Sequence, residues 1–447
     1  MYAEIKEAAL KFSAEIDGNP VVRVISHHDT DGITSASILA TTLQRAGKRF
    51  VLSIVKDLNS SFVKEILSSE YKVIVFLDLG ASFVKTFEQT ENKKIFVFDH
   101  HEIKDKIPES ITCLNPHLNN NEEISAAGIT YLFAKEFDEK NKDLSNFAVL
   151  GMIGDILEGT ISRLNNSILA DSSVVLKKGL KICSSTRPLH KALEFSNIFI
   201  EGITGSEEGA IELLREADIK IKDGSKYRTI LDLSKEELSR LVTALSLRSN
   251  EELIGNIYLL KFFNRSEDAR ELSALINACG RLESADIGVA LCLGCMKAKA
   301  QAESIYSTYK HLLVNALRLV NLRKINERNE GKNYLIINAG DKIKDTIIGT
   351  VTSILASSCI CPKGTVIVGL ARRNDDNIKV SARIVGKSEI NLYEILKTVC
   401  APLECEYGGH KRAAGAIIPL SKEKLFLDFL EKELQMHSLE IKISTKD

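Results

Sequence analysis

The sequence predicts an α/β protein with a parallel-sheet N-terminal domain, a mostly helical middle region and a smaller C-terminal α/β domain with a mixed sheet. Three observations indicate this class. Short apolar runs alternate with helical segments up to about residue 101, helical patterns dominate from about 120, and strand-like runs return after 332. A chain of 447 residues also exceeds one ordinary core. We place the domains at 1–195, 196–325 and 326–447.

The N-terminal domain contains four apolar runs of strand length. They are VVRVIS (21–26), RFVLSIV (49–55), KVIVFLDLG (72–80) and KIFVFDHH (94–101). Helices are predicted over 33–47, which ends at Gly47, and near 60–69. Continuous apolar strands joined by helices are typical of a parallel sheet covered on both faces.

The middle region is harder to assign, but segments such as SKEELSRLVTALSL favour helices. A long amphipathic helix is predicted over 297–325, because apolar residues recur there at intervals of three and four. It either braces the domains or packs on one of them. Beyond 332, YLIINAG, TVIVGLARR and IKVSARIV are strand candidates, a helix is predicted over 345–357, and the glycine-rich YGGHKRAAGAII follows.

The composition indicates a globular protein, with 44 % hydrophobic and 27 % charged residues. The net charge of −1 means that a nucleic-acid surface must be a local patch. No run approaches the roughly 18 apolar residues that cross a bilayer, so no membrane partner is expected. The nine cysteines are scattered, which argues against a secreted disulfide framework and favours a cytoplasmic location.

Cys292 and Cys295 have the CxxC spacing of a zinc site, and Cys359 lies close to Cys361. The surrounding GVALCLGCMK is interpreted as a buried strand. We therefore favour packing cysteines over metal ligands.

Acidic and imidazole side chains stand where the apolar runs end. These are His27, His28, Asp29 and Asp31 after the first run, Asp78 after the third, Asp99, His100 and His101 after the fourth, and Asp155 after AVLGMIGD. Singly, each has an ordinary structural explanation, such as a helix cap at Thr30 or Asp31. Together they converge, because the carboxyl ends of parallel strands share one sheet edge, where ligands bind.

A group of carboxylates and imidazoles suits two divalent ions such as manganese, magnesium, iron or zinc. Asp78 follows a central strand and is the candidate bridge between the two ions. In an extended backbone, His27, Asp29 and Asp31 point to one side, whereas His28 points away and is interpreted as structural.

These residues resemble the motifs of the DHH phosphoesterase superfamily. The four metal motifs stand in family order as HHDTDG (27–32), LDLG (77–80), DHH (99–101) and GD (154–155). NPH (115–117), SAAG (125–128) and the C-terminal GGHKRAAG (408–415) also match family segments. Within the superfamily, H-x-D-x-D-G and INACGR (276–281) resemble archaeal RecJ-like nucleases; bacterial RecJ has an aspartate where this chain has His27.

The resemblance implies a role for each site residue. His27 and Asp29 would hold one ion, Asp31, His100 and Asp155 the other, and Asp78 would bridge them. Manganese is the expected metal and magnesium the alternative. Asp99 would orient the histidines, and His101 would face the scissile phosphate as donor or acid. The catalytic residues would thus be Asp78, Asp99 and His101.

The C-terminal motif is expected to hold substrate. Gly408 and Gly409 allow backbone N–H groups to approach a phosphate, and His410, Lys411 and Arg412 add donors. By resemblance, Arg383 belongs to the same pocket and Arg281 is a further candidate. With no Trp in the chain, we expect the phosphate contacts to dominate over base stacking.

The resemblance implies a manganese-dependent exonuclease that degrades single-stranded DNA or RNA to mononucleotides in replication or repair. Two alternatives stay open. One is hydrolysis of short oligoribonucleotides or a small nucleotide. The other is a scaffold associated with the GINS complex of the replisome. The sequence leaves the polarity of digestion open.

Overall fold

The structure is a computed structural model of the chain. It describes all residues except 19, 89–91, 104, 119–121, 160, 182–183, 197–199, 249–252, 322–327, 332, 358–360, 374–375, 387 and 445–447. The chain forms two compact units, Met1–Lys177 with Ile257–Ser307, and Lys178–Asn256 with Thr308–Asp447.

The elements of the first 180 residues are α1 (Tyr2–Asp17), β1 (Val22–His27), α2 (Thr30–Arg45), β2 (Phe50–Val55), α3 (Ser60–Ser68), β3 (Val73–Leu77), α4 (Val84–Phe87), β4 (Lys94–Phe98), β5 (Ile111–Leu114), α5 (Ala126–Phe137), α6 (Ser145–Gly154), α7 (Arg163–Asp171) and β6 (Val175–Leu180). The middle of the chain contains α8 (Leu189–Glu194), α9 (Glu207–Glu216), β7 (Lys222–Asp223), β8 (Lys226–Tyr227), α10 (Lys235–Ser246), β9 (Ile254–Phe262), β10 (Arg265–Asp268), α11 (Ala269–Arg281), α12 (Ala285–Cys292) and α13 (Met296–Asn321). The remaining elements are β11 (Arg328–Gly331), β12 (Tyr334–Asn338), α14 (Asp345–Ala356), β13 (Val366–Arg372), β14 (Asn377–Ile384), α15 (Leu392–Cys400), β15 (Glu406–His410), β16 (Ala413–Pro419) and α16 (Glu423–Ser444).

The first unit is built on a five-stranded sheet in the order β2-β1-β3-β4-β5, with every pair parallel. The central strand β3 is buried along its whole length, as its unbroken apolar run requires. The register pairs Ser26 with Leu77 and Leu77 with Phe98. The residues that follow β1, β3 and β4 therefore meet at one edge of the sheet, and the predicted parallel sheet is confirmed.

The C-terminal sheet of the second unit has the order β11-β12-β13-β14-β16-β15. Only β12 and β13 are parallel, so the sheet is mixed, as predicted. The register places Arg383 opposite Ala413 and Ala413 opposite His410. Since residues directly opposite one another share a face, the side chains of Arg383 and His410 lie on the same side of this sheet.

The segment around the CxxC pair is a helix, so the prediction of a buried strand there was wrong. Residues Ala285–Cys292 form α12, in which Val289 and Cys292 are buried. A short apolar run does not distinguish a strand from a buried helix by periodicity. Cys292 packs inside as expected, but Cys295 is exposed, and Cys359 lies outside the described residues.

Several elements differ from the sequence analysis, among them β5, the strands β6 to β10 and the long middle helix. Strand β5 was not predicted, because ITCL contributes only four residues to the sheet. The long middle helix is observed as α13, and residues 322–325 of the predicted range lie outside the described part of the chain. Among the helices described, none combines the length and apolar character that a bilayer-spanning segment requires.

Candidate metal centre

The loop after β1 places two potential ligands side by side. His27 ends the strand, and its Nδ1 lies 3.0 Å from Asp29 Oδ2. Asp29 is also the N-cap of α2, since its carboxylate accepts a hydrogen bond from the Gly32 N–H at 3.1 Å. The cap was expected at Thr30 or Asp31, but these residues already form the first helical turn. Asp31 therefore approaches the site from a helix and not from an extended segment.

Asp78 occupies the centre of the site. Only 2 % of its side chain is exposed, and its two carboxylate oxygens face different histidines. Oδ2 lies 3.2 Å from His27 Nδ1, and Oδ1 lies 3.3 Å from His100 Nε2. The backbone of Asp78 has a φ of +58°, in the left-handed region, which few non-glycine residues adopt. Such backbone strain is commonly found at functional sites.

A second group of donors forms on the other side of Asp78. His100 Nε2 lies 3.4 Å from Asp155 Oδ2 and 4.0 Å from Asp31 Oδ2. Asp155 follows the C-terminus of α6, and its Oδ2 is buried without a hydrogen-bond partner among the described residues. A buried carboxylate oxygen without a hydrogen bond is costly unless a cation or proton neutralises it.

The N-terminus of α5 holds Asp31 in place. The carboxylate of Asp31 accepts hydrogen bonds from the N–H groups of Ala126 and Ala127 at 2.6 and 2.9 Å. The positive end of the helix dipole reinforces these bonds. Gly151 of α6 leaves the necessary room, because a β-carbon there would lie 2.4 Å from Asp31 Oδ1. These contacts give the SAAG segment a physical role that its residue types alone did not indicate.

Asp99 does not face the centre but supports the loop after β4. Its Oδ1 accepts from the His101 N–H at 3.1 Å and lies 2.7 Å from His101 Nδ1, while Oδ2 accepts from the Ala81 N–H at 2.8 Å. The NPH segment fixes the same loop: Asn115 Nδ2 donates to the His101 carbonyl at 2.9 Å, and His117 Nε2 lies 3.1 Å from the His100 carbonyl oxygen.

The donor atoms form three sets within which all ligand atoms lie within 4.8 Å of one another. The sets are His27 with Asp29 and Asp78, Asp31 with His100 and Asp155, and Asp78 with His100 and His101. Carboxylate and imidazole donors together suit divalent ions such as manganese or magnesium. The buried Asp155 oxygen that lacks a hydrogen bond is also suited to bind such an ion. The geometry therefore brings together all six residues that were proposed as metal ligands.

The ionisation of this cluster shows how much it needs a positive charge. Burial, together with the charge of Asp78, raises the pKa of Asp31 to about 7. Burial and the charge of Asp31 hold the pKa of Asp155 well above its usual value. Burial lowers the pKa of His27 and His100, but neighbouring carboxylates outweigh it and raise both pKa values well above 6.5. Protons thus substitute for cations between these groups.

We expect the metal-free protein to lose stability as the pH rises from about 5 to about 8. Because the pKa values of Asp31, Asp155, His27 and His100 are raised, the folded state binds more protons than the unfolded state in this range. Burial would raise the pKa of Asp29, but His27 lowers it below its usual value. Asp29 therefore affects stability only below about pH 4 and does not change the direction of the expected effect.

Thermal unfolding in chelator and in manganese, at about pH 5.5 and about pH 8, measures this effect. Manganese replaces the protons, so it should raise the melting temperature more at the higher pH. A larger manganese-induced shift at the lower pH would contradict the assignment of these groups as ligands.

The predicted substrate residues lie in both units. Arg281 ends α11 of the first unit, and no described contact joins it to the metal ligands. In the second unit, Gly409 has a φ of +124° and Gly408 has no atom within 4 Å of its β position. Strand β15 therefore presents open backbone at Gly408. His410 is exposed, and Lys411 Nζ pairs with Glu389 at 2.8 Å.

Arg383 has a neighbour that the sequence did not indicate. Its Nε donates to Ser353 Oγ at 3.0 Å, so a hydroxyl of α14 orients the guanidinium on β14. Burial, followed by the charges of Arg383 and Arg412, lowers the pKa of His410. Two guanidinium groups close to one imidazole are suited to an anionic ligand.

Comparisons with known proteins match three segments of the chain. The profile of the DHH family, N-terminal domain, matches residues 21–154, the DHH-CID domain matches 183–254, and the DHHA1 domain matches 331–436. An uncharacterized protein of Methanocaldococcus jannaschii is 29 % identical over 428 residues, covering 91 % of each chain.

Two solved structures share the fold. An exonuclease RecJ bound to manganese has a TM-score of 0.60 at 16 % identity, over 96 % of this chain and 93 % of the other. CDC45 from Entamoeba histolytica has a TM-score of 0.66 at 11 % identity, over 97 % and 99 %. At these identities the likeness concerns the fold.

Proposed function

Since the chain belongs to the DHH superfamily and is RecJ-like, we propose that it is a two-metal phosphodiesterase that removes nucleotides from an end of single-stranded DNA or RNA. The single observation that carries the proposal is the position of Asp78. One buried carboxylate faces His27 with one oxygen and His100 with the other. That arrangement suits a bridge between two cations.

His27, Asp29 and Asp78 would hold one ion, and Asp31, Asp78, His100 and Asp155 the other. Such a pair supplies charge neutralisation at a phosphoryl group and activation of water. The RecJ structure with the same fold was solved with manganese, which supports that metal here, with magnesium as the alternative.

His101 is the residue that we propose to act on the substrate itself. Burial lowers the pKa of His101, but the hydrogen bond to Asp99 and the charge of that carboxylate outweigh it and raise the pKa above 6.5. The same contacts, against burial, hold the pKa of Asp99 at about 2. His101, oriented by Asp99 and with a side chain that is 58 % exposed, would thus be available as a donor to a phosphoryl oxygen or a leaving oxygen.

The proposed reaction is tested with single-stranded DNA and RNA labelled separately at the 5′ and 3′ ends, in manganese and in chelator. We expect mononucleotides from one end, only with metal. Cleavage that persists in chelator would contradict the metal assignment. Single-stranded substrates of increasing length distinguish the exonuclease from the alternative, an enzyme for short oligonucleotides. Activity confined to pieces of about two to five nucleotides would identify that alternative.

The second unit supplies the proposed substrate contacts, and Arg383→Ala tests them. Loss of a charge-assisted hydrogen bond to phosphate costs about 1.5–3 kcal/mol, so KM for a single strand should rise roughly 10- to 100-fold. Lys397→Ala is the control, since Lys397 pairs with Glu394 on the surface of α15. Unchanged KM in Arg383→Ala would remove this residue from the substrate pocket.

A scaffold role in a GINS-containing replisome is the second candidate, and the fold shared with CDC45 supports it. The complete set of donor groups favours an enzyme, because a scaffold has no need of them. Binding of GINS by an Asp29→Ala variant would show that partner binding and hydrolysis are separate properties of the chain.

A further inference from the structure

The residue after Asp155 combines two unfavourable features. Ile156 has a φ of +59°, and its side chain is 79 % exposed. A β-branched side chain in the left-handed region is a genuine outlier, since its branches crowd the backbone. An exposed isoleucine also contributes nothing to a core. Glycine or asparagine would suit this backbone better.

Hydrogen bonds at the end of α6 fix the backbone around Ile156. The N–H groups of Asp155, Ile156 and Leu157 donate to carbonyl oxygens of α6 at 3.0, 3.1 and 3.0 Å. The backbone of Ile156 therefore has little freedom to relax into an ordinary conformation.

An ion pair fixes the loop from its other end. Glu158 Oε1 lies 2.8 Å from both Nε and a terminal nitrogen of Arg270. The side chain of Arg270 is only 6 % exposed, and its guanidinium lies over the Tyr258 ring at 5.6 Å. Two nitrogens of one guanidinium thus donate to a single carboxylate oxygen, and a largely buried ion pair of this kind resists displacement. The fold thus holds an apolar side chain in a strained, exposed position directly beside a metal ligand.

We propose that Ile156 contacts a nucleobase of the bound strand next to the scissile phosphate. The inference rests on the proposed function and adds a substrate-binding residue to it. Adjacent α-carbons are 3.8 Å apart, so a phosphate bound to an ion that Asp155 helps to hold would lie within about one nucleotide of Ile156. The faces of the bases are the main apolar surfaces that a nucleotide presents, and an isoleucine offers a base contact without sequence preference.

The test compares Ile156→Asn with Ile156→Leu and the wild type. Asparagine tolerates the left-handed backbone and removes the apolar surface, whereas leucine keeps the apolar surface and loses the β-branch. Leu247→Asn is the matched control, because Leu247 is 81 % exposed and has an ordinary φ of −71°. Substrates are single strands with an abasic residue at one of the three terminal positions, and the intact strand.

We expect Ile156→Asn to melt at a higher temperature than the wild type, because it relieves strain, and to show a KM about 5- to 10-fold higher on the intact strand. On the strand that lacks the contacted base, wild type and Ile156→Asn should have equal KM. Leucine and the Leu247 control should behave as the wild type on every strand.

Two outcomes overturn the inference. One is a wild-type KM on the intact strand in Ile156→Asn, and the other is an equal loss on intact and abasic strands. If the wild type hydrolyses no strand, the proposed function fails. The base contact is then judged by equilibrium binding of the same strands in manganese, and equal binding of intact and abasic strands by the wild type would overturn it.

Discussion

Asp78→Asn should reduce kcat on single-stranded substrate by at least about 1000-fold while the protein stays folded. Asparagine keeps the shape and tolerates the left-handed backbone of Asp78. However, it removes the negative charge that faces both His27 and His100.

Steady-state hydrolysis and thermal unfolding in chelator, measured on the same preparations, give both results. Asp105→Asn is the control, since Asp105 is an exposed carboxylate in the loop that follows the DHH triplet. More than about a tenth of wild-type kcat in Asp78→Asn would show that Asp78 does not bridge two ions.

Gly280→Ala should be the most disruptive conservative change in the first unit. A β-carbon at position 280 would lie 1.6 Å from the carbonyl oxygen of His28. Relief requires that α11 move away from the loop that carries His27 and Asp29. We expect the free energy of unfolding to fall by about 3 kcal/mol or more, and manganese binding to weaken as well.

Gly288→Ala serves as the control for Gly280→Ala. It lies in the next helix, α12, and the three atoms nearest to its added β-carbon would be side-chain atoms of Ile33 and Cys279 at 3.3–3.4 Å. We expect a change within about 1 kcal/mol, because alanine also favours the helix. Denaturant unfolding of both variants measures the difference. Equal effects would mean that the contact between α11 and the His28 backbone does not matter for stability.

The position of the candidate site at the sheet edge could be predicted from the sequence because it depends on one simple rule. Parallel strands end at the same edge, so the residues after β1, β3 and β4 had to meet there once the apolar runs were recognised as parallel strands. The prediction that Asp78 follows a central strand is confirmed by the strand order β2-β1-β3-β4-β5. No similar rule assigns the residues that approach from helices.

The features of the site that could not be predicted from the sequence depend on tertiary contacts. Whether Asp29, Thr30 or Asp31 caps α2 depends on where the chain turns after β1, and the residue types permit all three. The hydrogen bonds from α5 to Asp31 join residues 95 positions apart in the chain. The contact of Arg383 with Ser353 spans 30 positions. Sequence periodicity contains no information on such pairs.

The left-handed backbone of Ile156 illustrates a second limit. Local propensity favours strand or helix backbone for an isoleucine. The ion pair of Glu158 with Arg270 and the hydrogen bonds at the end of α6 hold Ile156 in the left-handed backbone conformation instead. Positions where local preference and the fold disagree are those at which function is expected.

Manganese-soaked crystals measured at the manganese absorption edge would show whether two ions share Asp78. We expect two anomalous peaks about 3.5–4 Å apart at the carboxyl edge of the parallel sheet. One peak should lie among His27, Asp29 and Asp78, the other among Asp31, Asp78, His100 and Asp155. A single peak, or two peaks that do not share Asp78, would contradict this expectation.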